Sequence, residues 1–173
     1  MTEISGVSID DFLEAVDPVA LSAVVSPVLV VDDSPTMRRV LRDILAGLGI
    51  RDVNDAGTAR EAFALLHQRQ FRLVICDIEM QEISGIQLLQ AIRSDVRIPK
   101  VPVLMVTGSL DTKHVATLRH VRADGYLLKP FSGESLRRKI LEVVERCPPA
   151  PVDEEAEASQ TRPGLVPMHR KRR

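Results

Sequence analysis

The sequence predicts an α/β fold in which a five-stranded parallel sheet carries helices on both faces. Two observations lead there. Five short strand-like stretches alternate with amphipathic ones through short connections, and the runs at 28–31, 73–76 and 103–106 are apolar without polar alternation, as strands buried on both faces are. Four of the five stretches end on an acid, a hydroxyl or a lysine. A buried sheet tolerates such residues best at its carboxyl edge, where open α/β folds gather their ligands.

The elements follow in order. Residues 1–27 hold five acids and no Lys or Arg. Ser8 suits an N-cap, Ile9, Phe12, Leu13 and Val16 fall at helical spacing, and Asp17-Pro18 reads as a fresh cap and first helical position. This acidic amphipathic arm either lies on the domain's own surface or serves as a docking or homodimerisation helix.

Val28-Leu29-Val30-Val31 is strand one, closed by Asp32 and Asp33. Ser34-Pro35 starts the first domain helix, whose Met37, Val40, Leu41, Ile44, Leu45 and Leu48 form one stripe ended by Gly49. Arg38, Arg39 and Arg42 fall off the stripe and read as a solvated face. Val53 marks strand two, and Thr58 with Glu61 forms a capping box for the second helix. Leu73-Val74-Ile75-Cys76 is strand three, ending at Asp77, and Ser84-Gly85 opens the third helix. Val103-Leu104-Met105-Val106 is strand four, ending at Thr107, and Asp111 opens a polar fourth helix. Gly125-Tyr126-Leu127-Leu128 is strand five, ending at Lys129-Pro130. Ser132 opens the last helix, with Leu136, Ile140, Leu141, Val143 and Val144 inward. The domain is therefore residues 28–146. Residues 147–173 are Pro-rich, aperiodic and basic at the end, and read as disordered.

Composition excludes several classes. The 173 residues are 45% hydrophobic but only 3% aromatic, so the core must be aliphatic. A net charge of −1 argues against wholesale nucleic-acid binding. No apolar run approaches the roughly 20 residues of a membrane span, no signal pattern opens the chain, and the protein reads as cytoplasmic. Cys76 and Cys147 are too far apart in pattern for a metal set and read as reduced thiols.

In a flavodoxin-like strand order of 2-1-3-4-5, strands one and three meet at the topological switch point, so Asp32, Asp33 and Asp77 share one crevice. Three carboxylates at contact distance repel unless a cation joins them, and an oxygen-only site with open positions suits Mg²⁺. Lys129 and Thr107 add a point positive charge and a hydroxyl for phosphoryl oxygens. Asp77, central among them, is the candidate nucleophile for an aspartyl phosphate. No glycine-rich phosphate loop, zinc cluster or histidine base supports nucleotide hydrolysis or protease chemistry.

VVDDS at 30–34, Asp77 at 44 positions after Asp33, VTG at 106–108 and GYLLKPF at 125–131 together resemble the receiver domain of two-component response regulators, nearest the single-domain chemotaxis type. The resemblance implies that Asp77 is phosphorylated by a histidine kinase or histidine phosphotransfer protein. Asp33, Asp77 and the Glu79 backbone carbonyl would hold Mg²⁺, with Asp32 nearby or acting through water. Thr107 and Tyr126 would be the switch pair, and Lys129-Pro130 a cis peptide. The face made by the fourth helix, fifth strand and fifth helix would bind a downstream protein target. Such a domain is a single-domain signalling protein, not an enzyme in the ordinary sense, although it assists its own phosphoryl transfer and dephosphorylation. A phosphate shuttle or sink in a phosphorelay is the alternative, and a Mg²⁺ phosphohydrolase with Glu79 as general acid is a third reading.

Two positions depart from the family. Gln81 stands where Pro is usual, and Arg122 occupies a small-residue turn where Gly accepts a left-handed conformation freely.

Overall fold

The computed structural model of the protein describes residues 18–109 and 121–149. Its elements are α1 Pro18–Val25, β1 Val28–Val31, α2 Pro35–Gly47, β2 Val53–Ala56, α3 Ala59–Gln68, β3 Leu73–Asp77, α4 Gly85–Ser94, β4 Val103–Thr107, β5 Gly125–Leu128 and α5 Gly133–Arg146. All strands are parallel, in the order β2-β1-β3-β4-β5, which is the doubly wound flavodoxin-like sheet expected. The helical stretch expected at residues 8–17, most of the helix opened by Asp111, and the tail from residue 150 lie outside the described residues.

The unalternated runs make sense once the sheet is seen to divide two cores. Leu29, Val31, Val74, Cys76, Val103 and Met105 face α3 and α4. The intervening Val28, Val30, Leu73, Ile75, Leu104 and Val106 face the other side, against Leu41 and Leu45 of α2 and Leu136, Ile140, Val143 and Val144 of α5. Period-two geometry thus sends alternate apolar residues of β1, β3 and β4 into one core or the other. Leu21 and Val25 of α1 are buried in that second core.

Helix starts follow the caps. Ser34 accepts from Met37 N–H, and Ser84 with Gln87 and Ser132 with Ser135 form reciprocal capping boxes. The box expected at Thr58 is only half made. Thr58 accepts from Glu61 N–H, but the Glu61 carboxylate takes the N–H of Gly57 rather than that of Thr58. Cys147, assigned by sequence to the tail, caps α5 and is 4% exposed.

Arg122 adopts the left-handed conformation, with φ 59°. That costs a non-glycine residue about 1–2 kcal/mol. The turn is held by Arg93, which donates to the Val101 carbonyl at 2.9 Å and pairs with Asp124, while Asp124 accepts Val103 N–H at 2.7 Å. These bonds fix the entry into β5, which starts at Gly125.

Candidate functional site

The site forms because parallel strands end on one edge. In register, Val31 pairs with Cys76 and Asp77 with Val106, so Asp32 just past β1 and the last residues of β3 and β4, Asp77 and Thr107, lie along one edge. Carboxylate oxygens of Asp32, Asp33 and Asp77 all fall within 4.8 Å of one another. Asp32 and Asp77 are buried, Asp33 is partly exposed, and Thr107 is buried.

Lys129 reaches into this group from the end of β5. Its Nζ donates to Asp32 Oδ2 at 3.1 Å and lies 3.2 Å from Asp77 Oδ1. The second contact attracts without aligning a hydrogen bond, so Asp77 Oδ1 is a buried oxygen with no hydrogen-bond partner among the described residues. Burial pushes the Asp77 carboxyl above its ordinary value, the Lys129 charge pulls it back, and the Asp32 charge raises it again. Burial alone would lower the Lys129 ammonium, but its hydrogen bond to Asp32 and the nearby carboxylate charges raise it overall.

The remaining sequence-selected residues sit around this centre. Asp32 is fixed by Ser34 N–H on Oδ1 at 2.8 Å. Thr107 Oγ1 donates to the Ser109 carbonyl at 2.7 Å and accepts Ser109 N–H at 3.1 Å, and the Thr107 carbonyl accepts Lys129 N–H at 2.7 Å. Glu79 is exposed in the loop after β3, with its carboxylate over Gly108: a Cβ there would lie 3.4 Å from Oε2. Tyr126 is not gathered into the site. It is 37% exposed on β5, the edge strand. Lys129-Pro130 is a cis peptide, as the resemblance implies.

Three residues matter more than their sequence context suggested. Arg38 is not part of a solvated face: its Nη1 donates to the Asp32 carbonyl at 2.8 Å, its Nε to Asp55 at 3.0 Å, and Arg42 meets the same Asp55. The off-stripe arginine therefore ties the acid-bearing end of β1 to β2. Gly85, noted only as the start of a helix, presses its α-carbon on the end of β3, where a Cβ would stand 1.9 Å from the Asp77 carbonyl oxygen. The third is Gln81, whose N–H donates to Asp33 Oδ2 at 3.2 Å.

The residues present fit a hard divalent cation. Three carboxylates against one ammonium leave two formal negative charges, and one buried oxygen takes no hydrogen bond from the described residues. Among the described residues no histidine belongs to the cluster, and the neighbouring Cys76 side chain is buried in the core against α3 and α4, where burial pushes its thiol up. Oxygen-only donors with room for water match Mg²⁺ better than a transition metal.

A parallel sheet bearing buried acids and a lysine at its carboxyl edge defines a receiver-type α/β domain. The response regulator receiver domain family matches residues 28–141, and the chain belongs to that family of signalling domains. The chemotaxis protein CheY of Pseudomonas aeruginosa is 35% identical over 119 residues, covering 69% of this chain and 96% of that protein. Among solved structures, Vibrio cholerae CheY4 superposes with a TM-score of 0.61 at 31% identity, over 69% of this chain and 95% of that one. A response regulator receiver protein from Pseudomonas putida gives a TM-score of 0.60 at 34% identity, over 69% and 94%. No helix among the described residues is long and apolar enough to cross a membrane.

Proposed function

We propose that Asp77 is the phospho-acceptor of a two-component pathway, taking its phosphoryl group from the phosphohistidine of a kinase or phosphotransfer protein. The observation that carries this reading is the Asp77 carboxylate itself: buried, facing Lys129, and with one oxygen that takes no hydrogen bond from the described residues. In the transfer, that carboxylate forms a new P–O bond while the P–N bond of the donor breaks. The electron pair leaves on the imidazole nitrogen, which then takes up a proton.

Mg²⁺, held by Asp33, Asp77 and the Glu79 backbone carbonyl with Asp32 close by or bridged through water, would neutralise charge on the phosphoryl oxygens. Lys129 is already placed to exchange a carboxylate partner for a phosphoryl oxygen. The Thr107 hydroxyl, now turned to Ser109, would rotate toward the phosphoryl group. That movement makes room beside β4 for the Tyr126 ring, and the surface around β5 and α5 changes shape for a protein target.

Tyr126 offers a direct readout, because it is the sole tyrosine and there is no tryptophan. Adding a small acyl phosphate with Mg²⁺ is expected to change its fluorescence, and the change should decay as the phosphate is hydrolysed. Asp77→Asn should give no change. A signal of equal size in Asp77→Asn would remove Asp77 from the switch.

A further inference from the structure

Resting on the phospho-acceptor reading, we propose that the main-chain N–H of Gln81 is a latch that positions the Asp33 carboxylate within the acid trio before any cation arrives. The Lys129 ammonium pairs with Asp32 and Asp77 and not with Asp33. Asp33 is the partly exposed member of three carboxylates within 4.8 Å, and repulsion from the other two favours its turning outward into water. The hydrogen bond that opposes this comes from Gln81, at 3.2 Å on Oδ2.

The donor is set by the backbone. Ile83 N–H closes a tight turn onto the Gln81 carbonyl at 2.7 Å around Glu82, whose φ is 62°, and Gly85 N–H ties the loop to the Ile78 carbonyl at 3.0 Å. The Gln81 amide therefore points at Asp33 without any side chain having to be ordered. The exposed Gln81 side chain takes no part. What matters is that residue 81 has an N–H, which a proline in this position would lack. The departure at Gln81 supplies a bond that joins the end of β1 to the loop after β3.

The test compares the full-length protein with Gln81→Ala, which keeps the N–H, and Gln81→Pro, which removes it. Mg²⁺ affinity is measured by titration calorimetry, and the Gln81 amide-proton resonance is followed without cation in wild type and Asp33→Ala. The expected results are near-wild-type affinity for Gln81→Ala and affinity about fivefold weaker for Gln81→Pro, the worth of one hydrogen bond. The Gln81 amide proton should move upfield in Asp33→Ala. Equal or tighter Mg²⁺ binding by Gln81→Pro, or an amide resonance indifferent to Asp33→Ala, would overturn the latch. A wild-type protein that binds no Mg²⁺ would instead overturn the phospho-acceptor reading, while the cation-free resonance still decides whether the latch exists.

Discussion

Lys129→Met is expected to destabilise the fold by about 2–4 kcal/mol at neutral pH and by much less in acid. Removing one partner of a buried ion pair costs about 3–5 kcal/mol because the other charge is left uncompensated. Lys129 is 22% exposed, so solvent takes back part of that cost. The carboxylates it leaves behind are 2% and 5% exposed, and solvent offers them little help.

The pH dependence follows from Asp77. Its pKa already lies above the ordinary value in the folded state, first because of burial, and Lys129 is what pulls it down. Without Lys129 it rises further. A folded-state pKa above the unfolded one means that the native state holds the proton more tightly, so this group favours folding most below its unfolded value, about 3.9. That contribution is lost as pH rises through the folded value. Urea unfolding of Lys129→Met and wild type across this range should therefore show curves that converge in acid and separate toward pH 7. A constant gap at every pH would mean that Lys129 acts through packing and not through its charge.

Gly85→Ala should be damaging in a different way. An added Cβ would stand 1.9 Å from the Asp77 carbonyl oxygen, 2.9 Å from its carbonyl carbon and 3.0 Å from Cys76 Sγ. Backbone cannot step aside as a flexible side chain does, so the first turn of α4 or the end of β3 must move. Overpacking typically costs about 1–3 kcal/mol and occasionally more, and a backbone collision of this depth belongs at the upper end. The same shift displaces Asp77. Gly47→Ala is the control, because nothing lies within 4 Å of its added Cβ. In thermal unfolding, Gly47→Ala should match or exceed wild type while Gly85→Ala falls well below it. Equal melting temperatures for Gly85→Ala and wild type would contradict the close approach.

The contrast between these residues shows what the sequence could reveal. Asp32, Asp33, Asp77, Thr107 and Lys129 were legible because each terminates an apolar run, and a parallel sheet sends such termini to one edge. The core was legible for the same reason, as the unbroken runs required two buried faces. Arg38 was not, because its partners are the Asp32 carbonyl and Asp55 of β2, neither of them a neighbour on its own helix. Gly85 escaped because its constraint is a tertiary collision, although its place eight residues after Asp77 was a usable hint. The Gln81 contribution is made by a backbone N–H common to every residue but proline, so side-chain chemistry carried no trace of it. Arg122 could be flagged from sequence, yet whether it would accept a positive φ depended on the bonds of Arg93 and Asp124 around it.

The phosphoryl group is expected on Asp77, and only when Mg²⁺ joins the acid cluster. Incubation with a small acyl phosphate, followed by peptide mass spectrometry at a pH that preserves acyl phosphates, tests both parts together. The predicted result is a single added phosphoryl group on Asp77, formed with Mg²⁺, absent with chelator and absent in Asp77→Asn. Label on another residue, or undiminished label in Asp77→Asn, would contradict it.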